Sequence, residues 1–299
     1  IIIMKYYYIW FLAIIIVILI YLRNYNKQLR IDYYNNREHF SQKIEKTTPN
    51  EIYDKFYSNV YDELFKSDLK NEFESMIIHK DFLSKYKKDI FLLDLGCGTG
   101  EHVKILSRYK HKIVGIDQSK YMIKVAKSKS KKEYATFIVS DFLNSKIFKL
   151  HQFSHVICLF HTIYYCKNIP LLFQNCNKWI KHDGYLFIHT INTKKFDPIL
   201  ERASSLIPFF DPQKYVDKRS TMTELVFNKF LYRSNWDFNK KRNVFYEHFQ
   251  FKDEPFERIN YHNFYQYKQE FIKKIAKKNG FTLVKIIDQQ IIGYGYKLY

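Results

Sequence analysis

The stretch Phe91-Leu92-Leu93-Asp94-Leu95-Gly96-Cys97-Gly98-Thr99-Gly100-Glu101-His102 decides how this chain is read. Ile90–Leu95 is apolar apart from Asp94, as in a strand covered on both faces. Glycines at 96, 98 and 100 let the backbone turn sharply and come close to a ligand. A helix opening at Glu101 offers free N–H groups and the positive end of its dipole. In an open α/β sheet, ligands sit beyond the carboxyl ends of the strands, so this turn marks the candidate site. The spacing is G-x-G-x-G, not the G-x-G-x-x-G of a dinucleotide turn. Asp94 would repel a pyrophosphate and suits a ligand carrying a cationic amine.

Upstream, Glu51–Tyr86 reads as helical. Ile52, Phe56, Tyr57, Val60, Tyr61, Leu64 and Phe65 recur at three- and four-residue spacing, and Asn50 is the expected N-cap. Downstream, strands are expected at Lys112–Asp117, Thr136–Ser140, Val156–Phe160 and Tyr185–Thr190. They alternate with helices from Glu101, from Lys120 and near Leu171–Ile180, which predicts a doubly wound parallel sheet. Phe196–Tyr267 breaks the rhythm. Its aromatic-rich stretches Glu224–Tyr232, Asn243–Phe251 and Glu257–Tyr267 read as antiparallel strands of an insertion, 196–267, that caps the active edge. The core resumes over 268–299: a helix Gln269–Lys278 stopping at Gly280, then a closing hairpin from Phe281–Ile287 and Ile291–Tyr299.

Asp94-Leu-Gly-Cys-Gly-Thr-Gly100 resembles the first motif of class I S-adenosylmethionine-dependent methyltransferases. Gly115-Ile-Asp117-Gln118-Ser119 resembles the family's second-strand motif, which implies that Asp117 binds ribose hydroxyls. Ser140-Asp141-Phe142 resembles the third, implying Asp141 at the adenine amino group and Phe142 near the ring. Phe153–Tyr165 resembles the fourth-strand motif, and Trp179–His189 the turn and fifth strand. The resemblance covers 51–195 and returns at the C-terminal hairpin. It implies a seven-stranded Rossmann-like sheet with a β-rich insertion after the fifth strand. It also implies S-adenosylmethionine as cofactor, held by Asp94, Gly96, Gly98, Gly100, Asp117, Gln118, Ser119, Asp141, Phe142 and Phe160. Ser154 and His182-Asp183 depart from the usual pattern at peripheral positions. No Asn/Asp-Pro-Pro-Tyr follows the fourth strand, which argues against an amino-group methylase of adenine or glutamine.

Methyl transfer from a sulfonium needs positioning first, and a base only where the acceptor must lose a proton. His161 and Tyr164, just after the fourth strand, are the candidate catalytic residues, with His189 as a further candidate base. Tyr57, Tyr61, Phe160, Tyr164 and Tyr165 could offer aromatic faces to the sulfonium. In the insertion, Phe209, Phe210, Trp236, Phe245, Tyr246, Phe264 and Tyr265 could pack on an acceptor. Each of these aromatics also has an ordinary reading as core.

The chain has 299 residues, 46 % of them apolar, enough for a sizeable core. Cys97, Cys158, Cys166 and Cys176 form no CxxC, so neither a disulfide framework nor a metal site is expected, and the thiols fit a reducing compartment. The net charge of +19 suits an anionic lipid surface or RNA without choosing between them. The Lys120, Lys124, Lys127, Lys131 stripe reads as a solvated helix face. Tyr6–Leu22 is uncharged, and residues 5–22 read as a single-pass membrane helix followed by a polar stalk, 23–50. Met4 is a candidate start. Arg23, Lys27, Arg30 and Arg37 place the remainder on the cytoplasmic side. The leading expectation is a small-molecule or lipid-associated acceptor. RNA is the alternative, and a non-catalytic cofactor-binding scaffold a third reading.

Overall fold

The computed structural model describes residues 14–21, 24, 43–48, 51–86, 88–191, 200, 221–237, 243–265, 267–288 and 296–298. Its strands are β1 (Lys43–Thr47), β2 (Phe91–Leu95), β3 (Lys112–Asp117), β4 (Ala135–Val139), β5 (Phe153–Cys158), β6 (Ile180–Ile191), β7 (Met222–Val226), β8 (Phe230–Asp237), β9 (Asn243–Phe251), β10 (Phe256–Phe264), β11 (Ile287–Asp288) and β12 (Tyr296–Leu298). From residue 43 onward its α-helices are α1 (Lys55–Phe65), α2 (Asp68–Ile78), α3 (Glu101–Ser107), α4 (Lys120–Lys129), α5 (Thr162–Tyr165), α6 (Ile169–Trp179) and α7 (Gln269–Lys278), and a π-helical turn, His79–Leu83, continues α2.

One sheet runs β11-β12-β6-β5-β2-β3-β4. Strands β2 to β6 pair in parallel, and β12 lies antiparallel to β6. The chain winds from β2 through β3 to β4, then returns to the other side of β2 as β5. The winding therefore reverses beside β2, and the crevice opens at its carboxyl end. Successive side chains of β2 point to opposite faces. Leu92 joins Val103, Leu106 and Phe137 on one side, and Leu93 joins Val156, Phe173 and Trp179 on the other. Each fully buried side chain of this kind contributes roughly 1.5–3 kcal/mol, so β2 is anchored from both faces.

The second sheet, β1-β10-β9-β8-β7, is the cap. Its β7–β10 strands are antiparallel. Alternate residues Phe245, Glu247 and Phe249 of β9, and Asn260, His262 and Phe264 of β10, are buried. Helix α1 packs on the cap: Phe56 sits 5.2 Å from both Phe249 and Phe251, ring centre to ring centre. Its Tyr57 shares a cluster with Met122 of α4, so α1 joins cap to core.

Several expectations change. The helical stretch 51–86 is broken: Asp54 caps α1 by accepting the Tyr57 N–H at 2.9 Å, and Ser67 caps α2 by accepting that of Lys70 at 3.2 Å. Asn50 lies outside the described residues. The strand expected over Glu224–Tyr232 is a hairpin, because the Phe227 N–H donates to the Phe230 carbonyl at 2.9 Å and closes a turn at Asn228-Lys229. Of Phe281–Ile287 only the end is paired, as β11. Part of the expected stalk is structured: β1 pairs in parallel with β10. Residues 14–21 are helical and exposed, and the rest of the expected anchor at 5–13 and 22 lies outside the described residues. Among the described residues no helix is long and apolar enough to cross a membrane.

Candidate active site

The Gly-rich turn adopts the conformation its sequence calls for. Gly96, Gly98 and Gly100 have φ of 65°, 53° and 78°. A Cβ at Gly100 would come within 2.8 Å of the Ala126 Cβ and 3.1 Å of the Phe137 ring. At Gly98 nothing lies within 4 Å, so that backbone faces open space. Asp117 at the end of β3 holds the turn. One carboxylate oxygen accepts the Gly98 N–H at 3.0 Å, the other the Ser119 N–H at 2.8 Å. Burial raises the Asp117 pKa against the pull of those two N–H groups. From α1, Asp62 accepts the Thr99 hydroxyl at 2.6 Å, and Lys129 bridges Asp62 and Glu101.

Beyond the turn lies a cavity of about 590 Å³. The sheet edge contributes Asp94, Gly96, Gly98, Asp117, Gln118, Phe142, Phe160 and His161. Tyr53 precedes α1, which supplies Tyr57 and Tyr61; α2 supplies Lys70, and the cap Trp236, Phe245, His262 and Phe264. Asp94 is buried, and among the described residues nothing hydrogen-bonds its carboxylate; burial and then the Asp117 charge push its pKa well up. A neighbouring ammonium would relieve that cost. Below the cavity, buried Glu74 takes Lys70 at 3.3 Å and His102 at 2.7 Å. Burial works to raise the Glu74 pKa, but Lys70, His189 and His102 outweigh it and hold the group ionised.

Not every expected site residue reaches the cavity. Ser119 caps α4, accepting the Met122 N–H at 3.1 Å and donating to the Tyr53 carbonyl at 2.5 Å. Asp141 is exposed and accepts the Leu143 N–H at 2.8 Å, while its neighbour Phe142 lines the cavity. His161 lines it, but burial lowers its pKa to about 3, so it is a neutral ring and a weak base. Burial likewise takes His189 to about 4. Tyr164 is a correction. Its ring packs in the sheet core, and its hydroxyl accepts the Ile191 N–H at 2.6 Å. Thr162 and Tyr165 are the residues of α5 that face the cavity, because they lie three positions apart on one side of the helix, whereas consecutive side chains such as those of Tyr164 and Tyr165 diverge by about 100°. Cys97 borders the cavity with its thiol pKa pushed up by burial. Tyr246 pairs with Tyr261 away from the cavity, Tyr265 lines it, and Phe209 and Phe210 lie outside the described residues. Lys120, Lys124, Lys127 and Lys131 are exposed. Among the described residues no cluster of His, Cys, Asp or Glu is placed to hold a metal. Tyr53, Lys70, His262 and Glu247 were not expected. For Glu247 and His262 the sequence signal is a polar residue in register with buried aromatics along β9 and β10.

Residues 93–188 match the family model of the methyltransferase domain. An uncharacterised protein of Methanocaldococcus jannaschii is 36 % identical over 147 residues, 49 % of this chain and 53 % of that one. A ubiquinone biosynthesis O-methyltransferase of Pelagibacter ubique is 33 % identical over 119 residues, 38 % of this chain and 49 % of that one. The chain thus spans about half the length of the curated relatives it matches. The solved sugar N-methyltransferase KedS8 of Streptoalloteichus superposes with a TM-score of 0.58 at 16 % identity, over 87 % of this chain and 96 % of that one. Residues 93–188 thus match a methyltransferase domain, and the fold is the one seen in solved S-adenosylmethionine-dependent methyltransferases.

Proposed function

We propose that the protein transfers a methyl group from S-adenosylmethionine to a small acceptor held beneath the cap. The observation that carries this reading is one cavity shared by the sheet edge and the cap. One wall is the Gly-rich turn with Asp94 and Asp117, and the facing wall is the aromatic inner side of β8, β9 and β10. The residues fit the cofactor. Asp94, buried without a hydrogen-bond partner among the described residues, suits its ammonium. Asp117 keeps lone pairs for the ribose hydroxyls, the open Gly98 backbone admits close approach, and Phe142 suits the adenine ring. Lys70 suits the carboxylate. When bound, S-adenosylmethionine supplies an activated sulfonium methyl. The protein's share is to orient acceptor and donor, exclude water with the cap aromatics, and offer the faces of Tyr57, Tyr61 and Phe160 to positive charge.

An aromatic-walled cavity supports a small acceptor over a polynucleotide, which would need an open basic groove. Methyl-labelled S-adenosylmethionine incubated with the protein and a cell extract tests this. Label in a small organic product supports the reading. Label confined to RNA favours the polynucleotide alternative, and cofactor binding without any labelled product favours a scaffold. The apolar run Tyr6–Leu22 extends the proposal to a bilayer, with the domain on the cytoplasmic side. Retention in the membrane pellet after alkaline carbonate extraction tests that part, and release into the supernatant overturns it.

A further inference from the structure

Four side chains from three separate parts of the chain form one hydrogen-bonded line between the cap and the cavity. Glu247 of β9 and His262 of β10 are fully buried, with the His262 Nε2 2.6 Å from a Glu247 oxygen. Glu247 also accepts the Tyr232 hydroxyl at 2.9 Å and the Asn260 amide at 2.9 Å. Asn260 in turn accepts Thr47 of β1 at 2.6 Å and Arg258 at 2.8 Å. The carboxylate is therefore fixed by three donors, and the buried network is built as a unit. On the other side, the His262 Nδ1 lies 2.7 Å from the Tyr165 hydroxyl, which takes a 2.8 Å hydrogen bond from the Tyr53 hydroxyl.

Donor and acceptor roles follow from chemistry. A carboxylate only accepts, so Nε2 carries the proton toward Glu247. Tyr53 donates to the Tyr165 oxygen, which leaves the Tyr165 proton for Nδ1. Every bond in the line points from the cavity toward Glu247. Tyr53, Tyr165 and His262 line the cavity, whereas Glu247 does not. Among the described residues nothing donates to the Tyr53 oxygen, so the line is open at the cavity end. Beside it, Trp236 stacks between Phe245 and Phe264 at 4.6 and 4.9 Å, a flat apolar wall.

From this we infer that the acceptor is a planar, phenol-like hydroxyl compound, and that Tyr53, Tyr165, His262 and Glu247 take up its proton; this rests on the methyltransferase reading. The acceptor O–H bond breaks and its electron pair stays on the acceptor oxygen. The proton passes to the Tyr53 oxygen as the Tyr53 proton moves to Tyr165 and the Tyr165 proton to His262 Nδ1. A neutral hydroxyl and a neutral imidazole become an oxyanion and an imidazolium, the latter paired with Glu247. His161, though nearer the sheet, is held neutral and is not part of the line. The titratable groups facing His262 are Tyr53, Tyr57, Tyr165, His161 and Glu247, so Glu247 is the one described carboxylate available to stabilise its charge. Glu247 acts through His262 and is a positioning residue.

The probe is 4-nitrophenol, whose anion is coloured, added to the full chain with and without S-adenosylmethionine. Calorimetry on the same sample records cofactor binding separately. The expected result is that the bound probe ionises at a lower pH than the free probe, by at least about tenfold in proton dissociation constant. Glu247→Gln and Tyr53→Phe should bind the cofactor as the wild type does and bind the probe in its neutral form. Should Glu247→Gln fail to fold, Tyr53→Phe and Tyr165→Phe carry the same comparison from the cavity wall. Failure of folded wild-type protein to bind the cofactor overturns the methyltransferase reading. Cofactor binding with a probe that binds neutral or fails to bind, or a shift unchanged in the variants, overturns the proton line alone.

Discussion

Asp117→Asn separates a residue that holds the fold from one that holds the cofactor. In the unliganded protein each carboxylate oxygen accepts one backbone N–H, from Gly98 and from Ser119. Asparagine keeps one acceptor and presents an NH2 group where the other stood, so one bond is lost. Losing a hydrogen bond to a charged group costs about 1.5–3 kcal/mol. Against that, the pKa of Asp117 is raised because burial outweighs its two N–H partners, so the ionised form carries a desolvation cost that asparagine removes. The two effects oppose, and global stability should change by only about 1 kcal/mol. With cofactor the terms do not cancel. The charged acceptor for the ribose hydroxyls is gone, and affinity should fall by about 1.5–3 kcal/mol, roughly 10- to 150-fold. Calorimetric titration with S-adenosylmethionine and urea unfolding without it, on the same preparation, give the two numbers. Wild-type affinity in the variant would refute the ribose role. Equal losses of stability and affinity would show that Asp117 only holds the turn.

Gly100→Ala should destabilise the protein by about 1–3 kcal/mol in urea unfolding, since alanine at φ 78° is strained and its methyl would overlap Ala126. His155, His161 and His189 are buried, with pKa values lowered to about 4, 3 and 4, chiefly by burial. The folded state therefore keeps them neutral while the unfolded chain charges below about 6.5. Stability is complete above that pH and lost as it falls, by up to about 4 kcal/mol per pH unit for three groups. Urea unfolding that is flat between pH 7 and 5 would contradict it. Trp236→Ala should leave S-adenosylmethionine affinity within a few-fold and suppress methyl incorporation into the extract product, because Trp236 belongs to the cap wall; unimpaired labelling would remove the cap from acceptor binding.

The sheet side of the cavity was legible in the sequence because its determinants are local. A strand, three alternating glycines and a helix start occupy twelve consecutive residues, and the acid after the next strand follows at a fixed interval. The cap side was not. Glu247 and His262 are single polar residues in aromatic strands, and their pairing depends on the register of β9 against β10. Tyr164 and Tyr165 are neighbours whose roles depend on the phase of a four-residue helix. The hairpin at Asn228-Lys229 has no glycine to announce it. Strand β1, Lys-Ile-Glu-Lys-Thr, exposes Ile44 and buries Thr47, so no apolar alternation betrays it; its partner lies more than 200 residues away.

That strand also sets the mechanical logic of the chain. A force applied from the N-terminal side reaches β1 before any other described strand. The parallel β1–β10 ladder and the Thr47–Asn260 bond lie in its path, one step from Glu247 and His262. The Gly-rich turn hangs on a different sheet and bears none of that load directly. Tension would work on the cap wall of the cavity while leaving its sheet wall slack. A fragment begun at residue 51 would lose the strap that braces the cap.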